Sequence, residues 1–226
     1  MTEPHEGLRS IKKRMTRDLI ADAALQLTLE KGLENVTSDE IAHIAFVSPR
    51  TVSNYFSCKE EAVVAAGSAL PELVEQYARS PVDDAPLEAL RRVVTAFFAD
   101  RTHEQLAQAR QRLQLTEDHH TLQAFQMASY GQAERDLRDI IAERTGTSAD
   151  DEMFPSLAAG VAVSAVRSAV WVWARSNAPD ERLPQLVDTA FDHIENGMTM
   201  PAAEPSVVAS GMAEQRGIEH RFAEVW

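Results

Sequence analysis

The chain has 226 residues, of which 44% are hydrophobic and 25% are charged, and its formal net charge is −13. This composition is that of a globular protein with one or two domains, and it excludes a disordered or fibrous chain. The single cysteine, Cys58, excludes an intrachain disulfide and a cysteine-based zinc site.

The acidic excess lies mainly in the second part of the chain. Residues 1–70 carry 8 Lys and Arg against 10 Asp and Glu, a net charge of −2, and residues 71–226 carry the other −11. Phosphate contact needs positive charge only where the nucleic acid lies, so the net charge does not exclude DNA binding. Five basic residues cluster near the start: Arg9, Lys12, Lys13, Arg14 and Arg17. We expect this basic arm to contact a DNA backbone or minor groove, the alternative being a solvated helical turn.

Glycine is scarce, with 9 residues, and alternating β-branched runs are few, which favours an all-α protein. The polar, charged N-terminus predicts no signal peptide. The most apolar run, Leu157–Ala174, is interrupted by Ser164, Arg167 and Ser168, so we interpret it as a buried helix and not as a membrane span. These features predict a cytoplasmic protein.

The first helical pattern follows the basic arm and ends near Glu30. Lys31-Gly32 is typical of a helix C-terminus, where glycine adopts a left-handed conformation at little cost. The residues predicted to form the buried stripe are Leu19, Ile20, Ala23, Ala24 and Leu27.

Two short helices joined by a tight turn come next. Thr37 and Glu40 have the spacing of a capping box, in which each side chain satisfies a free backbone N–H of the other. Residues 46–48 form the turn. The stripe predicted to point inward from the first helix is small and apolar: Ile41, Ala42 and Ala45.

Pro49 suits the first turn of the second helix, where its missing N–H costs no hydrogen bond. Val52 and Phe56 are four residues apart and are predicted to point inward. The side chains left outside are Arg50, Thr51, Ser53, Asn54 and Tyr55. A short helix with such an outer face suits a DNA groove, and the alternative is an ordinary surface helical hairpin.

Eight short segments match one family pattern: Ile20-Ala21-Asp22-Ala23-Ala24, Lys31-Gly32, Val36-Thr37, Ile41-Ala42, Val47-Ser48, Thr51-Val52, Tyr55-Phe56 and Lys59-Glu60. Through them residues 11–66 resemble the DNA-binding domain of TetR/AcrR-family transcriptional regulators. The form of residues 48–56 looks most like an actinobacterial branch that includes mycofactocin-type regulators. We therefore expect an all-α protein of about nine helices. Its expected parts are a helix-turn-helix domain at 1–60, a helical effector-binding and dimerisation domain at 61–200, and a tail at 201–226.

Phe46 departs from the family pattern, which usually has glycine at this position of the turn. Glycine there accommodates a positive φ, which costs another residue roughly 1 kcal/mol. Either the turn bends differently in this chain, or Phe46 is strained and held by packing.

The predicted DNA contacts divide by chemistry. Hydroxyls, the lysine and the N-terminus of the helix that starts at Ser38 are expected to bind phosphates. Arg50, Ser53 and Asn54 are expected to reach base edges, where arginine prefers guanine and asparagine prefers adenine. The complete predicted set is Thr37, Ser38, Ser48, Pro49, Arg50, Thr51, Ser53, Asn54, Tyr55 and Lys59.

Six further helices are predicted in the rest of the chain. Pro71 is expected to kink the first of them, because proline removes a backbone hydrogen bond. Their predicted ranges are about 59–79, 87–101, 104–116, 121–145, 154–177 and 183–198.

The second part is rich in aromatic side chains, which are first of all core residues. The family resemblance implies a cavity among its helices that binds a small ligand. The predicted lining is Phe97, Phe98, Leu113, Phe125, Tyr130, Arg167 and Trp171. Arg110, Arg112, Arg167 and Arg175 have the chemistry to hold an acid or phosphate group, although such residues more often form ion pairs. Arg167 stands out because its helix is otherwise apolar and a buried arginine needs a partner.

The last two predicted helices, over 154–177 and 183–198, carry more apolar surface than one protomer can cover at its edge. We expect them to pair with their copies in a second subunit as a four-helix interface, which is also where the family resemblance places it. The residues predicted at this interface are Val161, Ala165, Val172, Leu186, Ala190 and Phe191.

These features predict a homodimeric DNA-binding repressor that leaves a palindromic operator when a small apolar ligand binds. Two alternatives stay open: an effector-independent activator, and a helical ligand-binding or scaffold protein with weakened DNA binding. Phe46 and the exposed anion Asp39 favour the last. We find no enzyme motif and expect no cofactor. His119-His120 predicts no metal site, because adjacent histidines on a helix point in different directions.

Overall fold

The computed structural model describes residues 4–82, 84–176 and 178–198. These residues form ten α-helices and one short 3₁₀-helix at Leu33–Asn35, with no strand among them. The α-helices are α1 Pro4–Lys31, α2 Ser38–Ile44, α3 Pro49–Tyr55, α4 Lys59–Ala65, α5 Leu70–Arg79, α6 Pro86–Ala99, α7 His103–Asp118, α8 His120–Thr145, α9 Met153–Arg175 and α10 Arg182–Glu195. The all-α prediction is confirmed, with one helix more than expected. The tail expected at 201–226 lies outside the described residues.

The basic arm is part of α1, which continues through it without a break. Leu19 was predicted to be buried and is 55% exposed, whereas Ala24 is fully buried. The two residues lie on opposite sides of a helix with 3.6 residues per turn, and the packed face is the one that contains Ala24.

The single kinked helix predicted over 59–79 is two helices. Ala66 leaves the helical conformation, and Gly67 follows with a φ of +57°. Pro71 lies in the first turn of α5, where its missing N–H removes no hydrogen bond. Pro71 therefore begins a helix instead of kinking one.

One apolar core joins α1 to α4. Its large members include Ile20, Leu25, Leu33, Ile41, Val52, Phe56 and Val63. Leu122 of α8 belongs to the same core, and Leu115 and Phe125 pack against it. This core extends through α4 to Ala66, and the domain division at residue 60 stays a prediction.

The core of the second part lies mainly between α8 and α9. Trp173 and Ile141 are fully buried there. One protomer does not cover α9 on all sides, because Leu157, Trp171 and Val172 are all more than 40% exposed, and burial of this helix in a dimer stays a prediction. By length and composition α9 also meets the criteria for a membrane span, as core helices of soluble proteins do, and half of that span is buried in the chain. The residues after Asp192 form a separate unit, of which the structure describes the end of α10 and a turn.

Candidate nucleic-acid interface and cavity

The predicted capping box at the start of α2 is present. Glu40 N donates to Thr37 Oγ1 over 3.4 Å, and Thr37 N donates to Glu40 Oε2 over 3.0 Å. Lys31 also donates to Glu40, and the hydrogen bonds from Lys31 and then Thr37 lower the pKa of Glu40 to about 2. A carboxyl that holds its proton less tightly when folded stabilises the fold at pH values above its unfolded pKa. This contribution is lost as the pH falls towards 2, so the start of α2 is fully capped at neutral pH.

The turn between α2 and α3 has the geometry for which the family uses glycine. Phe46 has a φ of +55°, its N donates to His43 O, and Val47 N donates to Ala42 O over 2.9 Å. This pair of bonds is the Schellman motif, which requires a left-handed residue after the helix. Gly146 holds the same position after α8, where Thr147 N donates to Ala142 O.

Phe46 is thus strained, as one of the two alternatives stated, but packing does not hold it. Its side chain is 96% exposed. Val47, half-buried against the core, supplies the apolar contact of the motif instead.

We expect Phe46→Gly to raise the free energy of unfolding by about 1 kcal/mol, because glycine adopts a positive φ without strain. For a chain of this length that corresponds to a rise in Tm of roughly 2–4 °C. Thermal and urea denaturation would measure it. Phe46→Ala is the control, since it removes the ring and keeps the strained Cβ. Equal stabilisation by both variants would show that the ring, and not the backbone, is the cause.

Helix α3 is capped by Ser48, whose Oγ accepts from Thr51 N over 3.1 Å. Pro49 follows in the first turn, as predicted, and Val52 is buried. The exposed residues of this helix and its cap are Ser48, Pro49, Arg50, Ser53 and Asn54. Thr51 and Tyr55 are half-buried, and Tyr55 packs against the core. The structure therefore places the predicted base-contacting residues together on one outer face.

Arg50 and Asn54 are the long polar side chains of that face. Within the described part of the chain neither forms a hydrogen bond or an ion pair. Ser53, by contrast, donates its hydroxyl to Pro49 O over 3.3 Å. Arg50 and Asn54 are thus free to meet base edges.

Lys59 has a different role from the predicted phosphate contact. Its Nζ donates to Leu33 O over 2.7 Å and to Val36 O over 3.1 Å, with Glu34 O at 3.4 Å. An ammonium group has three donor hydrogens, and these carbonyls occupy them. Lys59 ties α4 to the 3₁₀-helix, so we withdraw it from the DNA-contact set.

Two of the five clustered basic residues are also engaged within the chain. Arg14 pairs with Glu75 over 2.7 Å, and the Arg17 guanidinium lies 4.8 Å from the centre of the Phe56 ring. Arg9, Lys12 and Lys13 are exposed. These three are the stronger candidates for phosphate contact.

A cavity of about 660 Å³ lies between helices α1 to α4, which we call the recognition domain, and the helices that follow them. Its wall includes residues of α1, α4, the 66–69 link, α5, α6, α7, α8, α9 and α10. A second cavity of about 490 Å³ shares part of this wall. The shared residues are Leu113, Gln126, Tyr130, Arg167 and Val170.

Six of the seven predicted lining residues lie at these cavities. Phe97, Phe98, Leu113, Tyr130 and Arg167 line the larger one, and Trp171 lines the smaller. Phe125 does not, because it is on the side of α8 that packs against the core of α1 to α4. Whether the other six bind a ligand stays a prediction.

Arg167 was singled out as a buried arginine, and it is exposed, with its guanidinium 5.9 Å from the centre of the Tyr130 ring. Among the described residues the buried arginine is Arg112 of α7, which is 6% exposed. Arg112 lies three residues after Ala109 and next to Leu113, on the face of α7 that packs inward, and this spacing was the signal of its burial in the sequence. Arg110 and Arg175 are paired, with Asp180 and Glu117 respectively.

The predicted interface residues divide into two groups. Ala165 and Phe191 are 4% and 0% exposed within one protomer, so they cannot meet a partner, and their assignment was wrong. Val172 is exposed, and Val161, Leu186 and Ala190 are half-buried. The outer stripe of α9 is Leu157, Val161, Ser164, Ser168 and Val172.

This chain is similar to known bacterial regulators in both of its parts. Residues 20–66 match the profile of bacterial regulatory proteins of the tetR family, and residues 84–199 match the profile of the MftR C-terminal domain. The transcriptional regulator TcmR of Streptomyces glaucescens is 32% identical over 196 residues, which cover 83% of this chain and 86% of TcmR. A protein of Mycobacterium tuberculosis named as a mycofactocin biosynthesis regulator, MftR, is 25% identical over 198 residues, covering 86% and 97% of the two chains.

Among solved structures, the repressor FadR of Thermus thermophilus, in complex with lauroyl-CoA, superposes with a TM-score of 0.51. It is 24% identical in sequence, and the match covers 84% of this chain and 98% of FadR. At that identity the likeness shows the fold alone. The two matching profiles and the helix-turn-helix geometry of α2 and α3 lead to one conclusion: the chain is a DNA-binding transcriptional regulator, not an enzyme, and it belongs to the TetR family.

Proposed function

We propose that this regulator is a homodimeric repressor of the cytoplasm that leaves a palindromic operator when a small, largely apolar ligand enters the cavity. The observation that carries the proposal is the composition of the cavity wall. Arg14, Arg17, Asp18 and Asp22 of α1 line it together with Phe97 and Phe98 of α6. A ligand in this cavity would contact α1, whose other face belongs to the core of the recognition domain.

Besides the apolar packing of Leu115, Leu122 and Phe125, three polar contacts among the described residues connect that domain to the helices around the cavity. Gln108 donates to Asp22 over 3.1 Å, Arg14 pairs with Glu75, and Arg112 donates to Val64 O over 2.8 Å. A ligand that binds better when these contacts are rearranged would shift the population towards that arrangement. By linkage, DNA and ligand would then weaken each other's binding by the same factor.

The proposed dimer rests on the outer stripe of α9. Leu157 is 57% exposed and Val172 is 41% exposed, and Val161, Ser164 and Ser168 lie between them along the stripe. A twofold axis at this stripe would pair α9 and α10 with their copies. Two recognition helices related by such an axis require an operator of two related half-sites.

The direct test is footprinting of the protein on the DNA that flanks its own gene. We expect protection of two related half-sites. Titration with a panel of apolar acids, esters and thioesters, including lauroyl-CoA, should then identify compounds that reduce protection. A protein that binds no DNA at low salt would support the scaffold alternative, and one that no bound compound releases would support the effector-independent alternative.

A cavity-filling variant sharpens this test. Ala109 lines the larger cavity, and Ala107 is exposed on the same helix. We expect Ala109→Phe to bind the operator normally and to resist release, because the ring occupies the ligand's space. Ala107→Phe is the matched control and should respond as the parent does. Equal release of both variants would place the effector outside this cavity.

A further inference from the structure

The inner wall of the larger cavity carries three buried polar groups whose hydrogen bonding is incomplete. Arg112 is 6% exposed, Gln126 is 5% exposed and Trp173 is fully buried. Among the described residues, Arg112 Nε, Gln126 Oε1 and Trp173 Nε1 have no hydrogen-bond partner. All three residues line the same cavity. Buried polar groups are normally paired, so the two N–H donors of Arg112 and Trp173 point to an occupant with an acceptor, whereas Gln126 Oε1 would need a donor that an oxyanion does not supply.

Arg112 also lacks a counter-charge. Its Nη1 donates to a backbone carbonyl, Val64 O, and no carboxylate of the described residues lies within ion-pair distance of it. Two other wall arginines are paired, Arg14 with Glu75 and Arg101 with Glu72, whereas Arg17 and Arg167 lie over the rings of Phe56 and Tyr130. Glu72 and Glu75 therefore already have arginine partners other than Arg112.

Tyr130 does not supply the missing charge. Burial raises the pKa of this phenol above its usual value, so the group is neutral at physiological pH. Burial also lowers the pKa of Arg112, but arginine titrates so far above neutrality that the guanidinium remains charged. The wall thus presents one buried, uncompensated positive charge with an N–H directed to neither a carbonyl nor an acid.

We propose that the ligand of this regulator is an organic acid, whose oxyanion is bound by Arg112 and the Trp173 indole N–H and whose apolar body packs against Phe97, Phe98 and Val166. This inference rests on the proposed function, in that it specifies the ligand of the same cavity. A planar oxyanion matches the fork of donors on a guanidinium, which makes short, charge-assisted hydrogen bonds. A volume of about 660 Å³ accommodates a molecule of drug-like size.

The bond from Arg112 to Val64 O gives this anion site a route to the recognition domain. Val64 lies in α4 and belongs to the core shared with α1. An oxyanion that draws the guanidinium towards the cavity would compete with that carbonyl. The acid would therefore act on the contact that joins α7 to the recognition domain.

The test compares acids with matched neutral compounds by titration calorimetry: decanoate with methyl decanoate and decanol, and 1-naphthoate with its methyl ester. Because hydrogen bonds to charged groups are the stronger ones, we expect an acid to bind on the order of tenfold to a hundredfold tighter than its ester. Arg112→Gln should remove that difference while ester affinity stays the same. Arg135→Gln, which removes a positive charge from an exposed position of α8 that lines neither cavity, should retain it.

Two further variants test the same site if Arg112→Gln fails to fold. Arg112→Lys keeps the charge and loses the fork, and Trp173→Phe keeps the ring and loses the N–H. Each should weaken acid binding several-fold more than ester binding. The proposal is overturned if acids and esters bind the parent equally, if no acid binds, or if the variants retain the full preference for acids.

The same titrations distinguish failure of this inference from failure of the proposed function. Acid binding that depends on Arg112 but leaves the operator complex intact would support the anion site and contradict release by ligand. Release by neutral esters, with acids inactive, would support release and overturn the anion site.

Discussion

Replacing Arg50 with alanine is expected to weaken operator binding by roughly tenfold to a hundredfold, the range given by a lost bidentate contact to a base. Arg50 is exposed at the start of α3 and forms no hydrogen bond within the described residues. Binding to unrelated DNA should change little, because the lost contact is to a base and not to a phosphate. Asn54→Ala should also weaken operator binding and leave binding to unrelated DNA unchanged. Each variant should lose its sequence preference at a different base pair of the operator.

Fluorescence anisotropy with operator and scrambled duplexes, repeated across salt concentrations, would measure both effects. Lys12→Ala should weaken binding to both duplexes alike and reduce the slope of log K against log salt by about one. Arg182→Ala is the charge-matched control, because Arg182 is exposed at the start of α10. If Arg50→Ala and Arg182→Ala bind the operator equally well, α3 is not the recognition helix.

The second large effect is expected at the outer stripe of α9. Leu157→Glu should convert the dimer into monomers, because a carboxylate buried at an apolar interface has no partner. Operator affinity should then fall by a hundredfold or more. In a dimer the two recognition domains are linked and bind both half-sites together, and separate monomers lose this avidity. The protein should keep its helical content, because Leu157 is 57% exposed in the protomer.

Sedimentation velocity would measure the oligomeric state, and anisotropy would measure operator affinity. Ala107→Glu adds the same charge to an exposed alanine of α7 and should leave both properties unchanged. A Leu157→Glu variant that stays dimeric with full affinity would exclude this stripe of α9 as the interface.

The sequence predicted the backbone strain at Phe46, as one of two alternatives, but not the environment of its side chain. Its strain was foreseeable, because the residue stands where the family pattern has glycine. The exposure of the Phe46 side chain was not foreseeable. Because the ring is exposed, its packing cannot offset the cost of the strained backbone. The left-handed conformation is instead imposed by the Schellman bonds of α2 and by the apolar contact of Val47. The turn therefore keeps the usual helix-turn-helix geometry at a cost in stability.

The errors of prediction share one physical origin. The ammonium of Lys59 is held by three carbonyls more than twenty residues away in sequence. Phe125 faces another domain's core, and Ala165 and Phe191 are covered within one protomer. In each case the residue type and its helix were predicted, and the neighbour that the side chain contacts was not. Periodicity identifies the faces of a helix, but it does not say which element covers each face.

The sequence by itself determined the all-α class, the capped start of α2, the tight turn, the short helix α3 with Arg50 and Asn54 on its outer face, and the family. These depend on interactions within a few residues, such as the bond between Thr37 and Glu40. Only the tertiary structure decided where α4 ends, which arginine is buried without a counter-charge, and which stripe of α9 is left uncovered. Those properties depend on contacts between helices distant in sequence, because burial and the loss of hydration are set by how all the helices pack together.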